Sequence, residues 1–401
     1  MDVQIFPSIA NGVIKAPTSK SYAHRILIAA ALCEGISKIE NIGVNDDVLA
    51  TASCLKEMGA EVELNGTTAT VKGIDFKSRK ENLSLFCNES GSTLRFLIPL
   101  CYLISKTTEF TGAGRLMARP QTVYEELFTQ KGCEFVKTDD SLKTKGKLVS
   151  GVYEVRGDVS SQFITGLFFA LPILNGDSEI RLSTPLQSAP YIDITTDVLR
   201  QFGVEIETTE KGWYIKGSQQ YKAQNISCEG DWSNVAFLDA FNLAGGSVCV
   251  EGLNDESLQG DKIYKDYFEA LQNGTPTLDI SDCVDLGPVL MACAALKNGA
   301  VLTGTNRLKI KESPRGEAMK QELLKFGITT EVQDDFIIIP KSVLKTPTET
   351  IDCHNDHRVA MSCAVLCSVT GGILSGAQCV NKSYPDFFED IKNLGITYKI
   401  I

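Results

Sequence analysis

A unit of two helices recurs six times along the chain, and this repeat restricts the folds that the chain can adopt. In each unit a short polar or glycine-containing lead opens an apolar helix of about three turns, and an amphipathic helix follows. Each amphipathic helix ends at a glycine, which suits the left-handed position after a helix C-terminus. These glycines are Gly59, Gly132, Gly203, Gly274, Gly327 and Gly395.

The first helix of each unit is apolar on all sides, which indicates that these helices are buried in a core. The apolar segments begin at Ser19, Glu89, Ser160, Asp231, Asp285 and Asp356. Strand-like runs follow several of the glycines, as at residues 60–64, 204–208 and 396–400. The sequence therefore predicts an α/β fold in which buried helices are surrounded by sheets.

Six units in 401 residues divide most simply into two domains of three units, because a chain of this length exceeds a single core. The segment near residue 230 lies between the third and fourth units, so we place a crossover there. A strand at residues 3–7 precedes the first unit and is assigned to the second domain. The predicted domains are residues 1–18 with 230–401, and residues 19–229, with the hinge at the two crossovers.

The lead of the first apolar helix carries cations where helices usually carry acids. A helix N-terminus has about half a positive charge, yet Lys20, His24 and Arg25 crowd this one. Ser19 or Ser21 is expected to cap the helix. Free amides and cations together suit a phosphate or carboxylate ligand. Taken alone, Lys20 and Arg25 are equally well explained by solvent or by a neighbouring acid.

Polar residues open the other leads as well, and their recurrence favours an anion-binding site where the helix N-termini gather. This set comprises Gly91, Ser92, Arg95, Ser160, Ser161, Gln162, Asp285, His357 and Arg358. Cationic segments between the helices add Arg115, Arg119, Lys309, Lys311, Arg315 and Lys382. Each helix-start residue alone is better explained as a cap, and each cationic segment has a solvated turn as its alternative. Glu312 lies among three of these cations and is expected to be ionised.

The composition limits the partners of such a site. A net charge of -11 argues against nucleic acid and acidic membranes, which require a basic face. No apolar run approaches the ~20 residues that span a bilayer, so we expect a cytoplasmic protein. The 13 cysteines form no CxxC pair and there are three histidines, so no metal site is expected.

Eight short motifs resemble, in their order, the signatures of the enolpyruvyl transferase family. They are PTSKSYAHR, SGSTLR, RLMARP, VSSQF, QSAPYIDIT, IKESPR, NDHR and KSYPDFF. Within that family the 5-enolpyruvylshikimate-3-phosphate synthases are most similar, and the likeness covers nearly the whole chain. The resemblance implies a two-domain inside-out α/β barrel, each domain made of three repeated units with buried helices surrounded by sheets.

The resemblance also implies a reaction of the shikimate pathway, on the route to aromatic amino acids. The enolpyruvyl (carboxyvinyl) group of phosphoenolpyruvate would pass to the 5-hydroxyl of shikimate 3-phosphate. Contacts to shikimate 3-phosphate are implied for Lys20, Ser21, Arg25, Ser160, Ser161, Gln162, Ser188, Tyr191, Asp285 and Lys311. Contacts to phosphoenolpyruvate are implied for Lys20, Gly91, Arg119, Gln162, Glu312, Arg315, Arg358 and Lys382.

By the same resemblance Asp285, Glu312 and Lys20 carry the proton transfers, with Asp285 accepting the hydroxyl proton. Both substrates are expected to contact both domains, so that domain closure completes the site. No metal or organic cofactor is implied, and a monomer is expected.

The chain departs from the family pattern at three places. Arg307 stands where many members have Asn, with Asn306 one place off, so that contact stays open. Pro314 replaces an acidic residue before Arg315. Phe96 follows Arg95 where a compact residue is frequent, beside the pocket of the inhibitor glyphosate, so sensitivity is not predicted.

Two alternative functions remain. The sister enzyme that acts on UDP-N-acetylglucosamine needs a reactive cysteine near residues 112–119, and that segment contains none. A non-catalytic protein that binds a phosphorylated metabolite is the other alternative. Asp285 and Glu312 argue against it, because neutral residues would suit a pure anion site better.

Overall fold

A computed structural model describes residues 1–76 and 79–401 of the chain. The chain divides into two compact units, and each unit consists of residues that contact one another more than they contact the rest. The terminal unit comprises Met1–Pro17 and Gly230–Ile401, and the central unit comprises Thr18–Glu229. The predicted boundaries were residues 1–18 with 230–401 and residues 19–229, and the hinge stays a prediction.

Helices and strands alternate along both units. The α-helices are α1 (Lys20–Ala31), α2 (Asp46–Met58), α3 (Gly91–Ile104), α4 (Thr122–Gln130), α5 (Ser161–Ala170), α6 (Ala189–Gln201), α7 (Trp232–Leu243), α8 (Tyr264–Asn273), α9 (Gly287–Leu296), α10 (Arg315–Lys325), α11 (His357–Thr370) and α12 (Phe387–Asn393). Short 3-10 helices occupy Leu171–Ile173, Gly260–Ile263, Val284–Leu286, Asn306–Ile310 and Ala377–Lys382.

The strands are short, and most have two to five residues. They are β1 (Val3–Ile5), β2 (Asn11–Lys15), β3 (Ile36–Glu40), β4 (Glu61–Asn65), β5 (Thr68–Lys72), β6 (Lys80–Phe86), β7 (Ser105–Thr111), β8 (Glu134–Lys137), β9 (Ser141–Lys145), β10 (Gly151–Val155), β11 (Ser178–Leu182), β12 (Glu207–Thr209), β13 (Gly212–Ile215), β14 (Asn225–Ser227), β15 (Ser247–Glu251), β16 (Thr277–Asp279), β17 (Ala300–Thr303), β18 (Glu331–Val332), β19 (Phe336–Ile339), β20 (Ile351–Asp352), β21 (Gly372–Ser375) and β22 (Tyr398–Ile400).

The first helix of each repeat is buried, as the sequence predicts. These helices are α1, α3 and α5 in the central unit and α7, α9 and α11 in the terminal unit. In α5 every residue except Gln162 is buried. Strands alternate instead: along β3, Ser37 and Ile39 are buried while Ile36 is exposed. One face of this sheet therefore packs on helices and the other meets water.

Five of the six sheets in residues 1–76 and 79–401 have four strands and share one pairing pattern. In β6-β7-β9-β8 the first pair is parallel and the other two pairs are antiparallel. The remaining sheet joins β2 to β15 in parallel. In the sheet β6-β7-β9-β8 a helix connects β6 to β7 and a second helix connects β7 to β8, so this sheet corresponds to one repeat. The sheets β14-β3-β5-β4 and β20-β21-β1-β22 each include one strand from a distant part of the chain, β14 and β1.

At each crossover, the last strand before the boundary pairs with a strand of its own unit that is distant along the chain. β2 leads along the chain to α1 but pairs with β15, the strand after α7. β14 leads to α7 but pairs with β3, the strand after α1. Backbone bonds continue both pairings to the crossovers: Asp231 N–H donates to Pro17 at 2.8 Å, and Ser19 N–H donates to Glu229 at 2.8 Å.

Five of the six repeat glycines adopt the predicted left-handed conformation, with φ between 74° and 115°. Gly274 does not, and that prediction is wrong. Its φ is 174° and its ψ is -157°, which is extended backbone that any residue can adopt. After α8 the chain runs directly into an extended segment before Pro276, so no reversal is needed at Gly274.

Gly132 and Gly274 form a matched pair for a stability test, because a Cβ added at either meets no atom within 4 Å. Gly132 has a φ of 74°, so Gly132→Ala should lower the free energy of unfolding by about 1 to 2 kcal/mol. Gly274→Ala should raise it by roughly 0.5 kcal/mol, because alanine restricts the unfolded chain. Denaturant unfolding of both variants measures these changes, and equal destabilisation would contradict the assignment.

Candidate active site

The start of α1 is capped by Ser19, whose Oγ accepts a hydrogen bond from the backbone N–H of Tyr22 at 3.4 Å. Lys20 is the first helical residue, and its Nζ lies 2.9 Å from Asp47 Oδ2. Asp47 belongs to the first turn of α2. Lys20 therefore pairs with a neighbouring acid, which was one of the two alternatives for this residue. Asp47 was not among the predicted site residues.

Arg25 is buried one turn further along α1, with 3% of its surface exposed. Its guanidinium donates to Thr195 Oγ1 at 2.8 Å and to the carbonyl oxygens of Ser21 at 2.7 Å and Tyr191 at 3.1 Å. It also lies over the Phe96 ring, 5.1 Å from the centroid. Burial lowers the pKa of Arg25 to about 10, so it remains charged at neutral pH. These hydrogen-bond partners are neutral oxygens, which leaves a buried positive charge suited to an anion.

The starts of α3 and α5 are joined by side-chain hydrogen bonds. Arg95 Nη1 donates to Gln162 Oε1 at 2.8 Å, and Gln162 Nε2 donates to Ser92 Oγ at 3.0 Å. Arg95 Nη2 donates to the Pro120 carbonyl at 3.0 Å. The structure thus brings together predicted residues from three separate segments of the central unit.

Gly91, the first residue of α3, lies directly against Arg119. A Cβ at Gly91 would be 2.8 Å from Arg119 Nη1 and 3.3 Å from its Cζ. Arg119 is 8% exposed, so its guanidinium has little room to withdraw. Arg119 can therefore occupy this position because Gly91 has no side chain.

Three predicted serines of the central unit, Ser160, Ser161 and Ser188, lie at the starts of helices. Ser160 caps α5, and its Oγ accepts from the Gln162 N–H at 3.3 Å. Ser161 is the buried first residue of α5. Ser188 precedes α6 and has a φ of 59°, a left-handed conformation that few residues other than glycine adopt. The capping alternative holds for Ser160, whose oxygen also lies at the positive end of the helix.

In the terminal unit Asp285 is surrounded by three cations. Its Oδ1 lies 2.7 Å from Arg315 Nη1 and 2.9 Å from Lys311 Nζ, and its Oδ2 lies 3.5 Å from Arg358 Nη2. Burial raises the pKa of Asp285, but the cations outweigh this effect and hold that pKa well below its ordinary value. Burial lowers the pKa of Lys311 to about 8, against the opposing influence of Asp285.

Arg315 links Asp285 to two further carboxylates. Its Nη2 lies 2.6 Å from Glu312 Oε2, and its Nε lies 2.9 Å from Asp356 Oδ2. Burial opposes the charge of Arg315, but Asp356, Glu312 and Asp285 together raise its pKa. Asp356 also caps α11 and accepts from Ser313 Oγ at 3.0 Å. The sequence predicts Asp356 at a helix start, but its pairing with Arg315 was not predicted.

Arg358 and Lys382 complete the terminal cluster. Arg358 Nη1 donates to Ser233 Oγ at 2.8 Å and to the Asp285 carbonyl at 3.1 Å. Lys382 Nζ donates to the Asn355 carbonyl at 2.6 Å. Asn355 has a φ of 50°, so the loop before α11 is in a left-handed turn where it meets Lys382.

Two further cations, Lys309 and Arg307, make contacts of a different kind from those of the clusters above. Lys309 is half exposed, and its Nζ lies 2.7 Å from Oδ1 of the fully exposed Asp334. The solvated-turn alternative therefore holds for Lys309. Arg307 is buried in the 3-10 helix Asn306–Ile310 and donates to the Ser281 carbonyl, whereas the Asn306 backbone N–H donates to Asp335 at 3.1 Å.

A second buried carboxylate, Glu322 of α10, holds the loop that leads to α11. Glu322 accepts from His354 Nε2 at 2.8 Å, from Lys325 Nζ at 2.7 Å and from the Asp352 N–H at 3.0 Å. The Glu322 hydrogen bond, opposed in part by burial, raises the pKa of His354 above its ordinary value. His354 thus anchors the loop that carries Asn355 and Asp356.

Comparisons with known proteins show the family to which the chain belongs. Residues 7–391 match the family model described as EPSP synthase (3-phosphoshikimate 1-carboxyvinyltransferase). The chain is 41% identical to the 3-phosphoshikimate 1-carboxyvinyltransferase of Clostridium kluyveri and 39% identical to that of Clostridium novyi. Each comparison covers 98% of this chain and 97% of the relative. The chain belongs to the EPSP synthase family.

Two solved structures share the fold of this chain, as its membership of the EPSP synthase family requires. EPSP synthase from Acinetobacter baumannii has a TM-score of 0.79 and 21% identity, with 99% of each chain covered. The enolpyruvyl transferase NikO from Streptomyces tendae has a TM-score of 0.77 and 14% identity, covering 99% of this chain and 98% of that one. The predicted fold class, a two-domain inside-out α/β barrel, is confirmed.

The described residues contain neither a candidate membrane-spanning helix nor a candidate metal-binding group. In residues 1–76 and 79–401, no helix is both long and apolar enough to cross a membrane. Over the same ranges, His, Cys, Asp and Glu side chains form no group of three that suits a metal ion.

The His354–Glu322 pair predicts a pH-dependent contribution to stability. Because its folded-state pKa lies above the ordinary 6.5, the contribution is present in full below that value. It is lost as the pH rises through the raised pKa. His354→Gln should therefore destabilise the protein by roughly 1.5 kcal/mol at about pH 5.5 and by clearly less at about pH 9.

Unfolding curves at the two pH values measure this difference. Lys325→Met is the matched control, because it removes the other cation that contacts Glu322 but leaves the His354 imidazole in place. A loss from His354→Gln that does not change with pH would contradict the assignment.

Proposed function

We propose that this chain transfers the carboxyvinyl group of phosphoenolpyruvate to the 5-hydroxyl of shikimate 3-phosphate and releases inorganic phosphate. One observation carries the proposal: the chain matches the EPSP synthase family along residues 7–391. The buried cations described above support it, since both substrates are small polyanions that a cationic site of this kind suits. The enzyme would act in the shikimate pathway, on the route to aromatic amino acids.

The residues assigned to shikimate 3-phosphate are mostly in the central unit. They are Lys20, Ser21, Arg25, Ser160, Ser161, Gln162, Ser188 and Tyr191, together with Asp285 and Lys311 of the terminal unit. Arg25 supports this assignment most strongly, because its hydrogen bonds to neutral oxygens leave its charge for a phosphate. The residues assigned to phosphoenolpyruvate are Lys20, Gly91, Arg119, Gln162, Glu312, Arg315, Arg358 and Lys382.

The reaction consists of an addition followed by an elimination. The 5-hydroxyl oxygen bonds to C2 of phosphoenolpyruvate, its proton passes to a base, and C3 gains a proton from an acid. The C2–O bond to phosphate then breaks, a proton leaves C3, and the double bond is restored. Two acid and base groups are therefore required. Asp285 is assigned to the hydroxyl proton, and Glu312 with Lys20 to the protons at C3 and the phosphate.

The surroundings of Asp285 explain how substrate binding would turn it into a base. Three cations hold its pKa well below the ordinary value, which makes an ionised but weak base. A bound phosphate or carboxylate would share the charge of Arg315, Arg358 and Lys311. The pKa of Asp285 would then rise toward a value at which it accepts a proton readily.

Only small-molecule substrates are proposed as partners. We also propose that the protein acts as a monomer in the cytoplasm and does not bind nucleic acid, which its net charge of -11 disfavours.

A phosphate-release assay tests the proposed reaction. Purified protein is given phosphoenolpyruvate alone, with shikimate 3-phosphate, or with UDP-N-acetylglucosamine. Release only with shikimate 3-phosphate is the expected result. Release with the sugar nucleotide would make the protein the sister enzyme, and no release from folded protein would leave an anion-binding protein.

Asp285→Asn should lower kcat about 100-fold or more, because an amide cannot accept the hydroxyl proton. The KM values of both substrates should change far less, since Arg315 retains Glu312 and Asp356 as partners. Steady-state kinetics of phosphate release measure both constants. Turnover at the parental rate would exclude Asp285 as the base.

Gly91→Ala should raise the KM for phosphoenolpyruvate roughly tenfold, because the new methyl group displaces the Arg119 guanidinium from its place. The KM for shikimate 3-phosphate should change little. Gly274→Ala, which adds the same methyl group in open space, is the control. An unchanged KM in Gly91→Ala would remove Arg119 from the assigned contacts.

A further inference from the structure

A chain of buried hydrogen bonds joins α1, α2 and α3 in the central unit. His24 Nδ1 lies 2.7 Å from Thr51 Oγ1, and Thr51 Oγ1 lies 2.7 Å from Thr93 Oγ1. The Thr93 hydroxyl donates to Ser90 Oγ at 2.8 Å. Ser90 caps α3 and immediately precedes Gly91. The path therefore runs from the cationic start of α1 to the start of α3.

Each hydroxyl has one proton to donate, and this limit sets the direction of the hydrogen bonds. Because Thr93 gives its proton to Ser90 Oγ, Thr51 must donate to Thr93. His24 Nδ1–H must then donate to Thr51, a bond that a neutral imidazole and an imidazolium can both make. Burial, followed by the charges of Lys20 and Arg25, lowers the pKa of His24 well below its ordinary value. His24 is therefore assigned as the neutral tautomer that carries its proton on Nδ1.

The same helices are joined by the ion pair of Lys20. Lys20 and His24 are one turn apart on α1, and their partners Asp47 and Thr51 are one turn apart on α2. Thr93 Oγ1 also lies 3.4 Å from the Asp47 carbonyl. A shift of Thr51 or Thr93 would therefore change both the place of Lys20 and the start of α3.

We propose that His24, acting through Thr51 and Thr93, is a positioning residue that fixes the start of α3 relative to Lys20. The chain of hydroxyls holds Ser90 and hence Gly91, against which Arg119 packs. None of its residues is among those assigned above to either substrate. This inference rests on the proposed function, because its readout is the use of phosphoenolpyruvate.

The test distinguishes the effect of the Thr51 hydroxyl from the effect of the shape of the Thr51 side chain. Thr51→Val keeps the shape and removes the hydroxyl, so the KM for phosphoenolpyruvate should rise about threefold to tenfold. Thr51→Ser keeps the hydroxyl and leaves a small cavity, so its KM should stay within about twofold of the parental value. His24→Phe should raise the KM as Thr51→Val does, and the double variant should show no further rise.

Thr108→Val is the matched control in the same unit. Thr108 is 1% exposed and its Oγ1 lies 2.5 Å from Ser105 Oγ, in β7 beyond the C-terminal end of α3. This variant loses a buried bond between two hydroxyls, as Thr51→Val does, but should leave the KM unchanged. Unfolding curves of all variants record how much stability each has lost.

Three outcomes would overturn the inference. They are equal KM values in Thr51→Val and Thr51→Ser, a similar KM rise in Thr108→Val, and stability loss in Thr51→Val without a change in KM. A parental protein that releases no phosphate would instead refute the proposed function, so the two failures are distinguishable.

Discussion

A positive side chain beside the positive end of a buried helix is electrostatically unfavourable, and both units of this protein depend on relieving that strain. The terminal unit relieves it with carboxylates, since Arg315 contacts Asp285, Glu312 and Asp356. The central unit gives Arg25 hydroxyl and carbonyl oxygens instead. Arg315 is thus compensated by carboxylates, whereas the hydrogen bonds of Arg25 go to neutral oxygens.

Repetition explains how such clusters arise from short leads. Each repeat contributes one helix start and one small sheet, and the helix is held between its own sheet and the neighbouring helices. The hydrogen bonds between α3 and α5 through Arg95 and Gln162 join two repeats rather than residues of one. A site built in this way requires the fold of a whole unit, because no single repeat contains it.

Much of the fold follows from local pattern, whereas the pairing of charges does not. The Ser19 cap, the buried first helices and five of the six glycine turns could be predicted from adjacent residues. Gly274 could not, because its conformation depends on where the next segment goes. The pairs Lys20–Asp47 and Arg315–Asp356 join distant positions, so only the packing of helices reveals them. The site roles came from the resemblance and stay predictions.

The pairing of β1 with β21 and β22 has a consequence for the order of events during synthesis on the ribosome. Every strand of the central unit has emerged once Ser227 has left the tunnel, so this unit can complete its sheets first. β1 is made before the central unit and its partners are made after it, so β1 stays unpaired while the central unit folds. During that time Val3 and Ile5 have no sheet to bury them, which exposes an apolar strand to association with other chains.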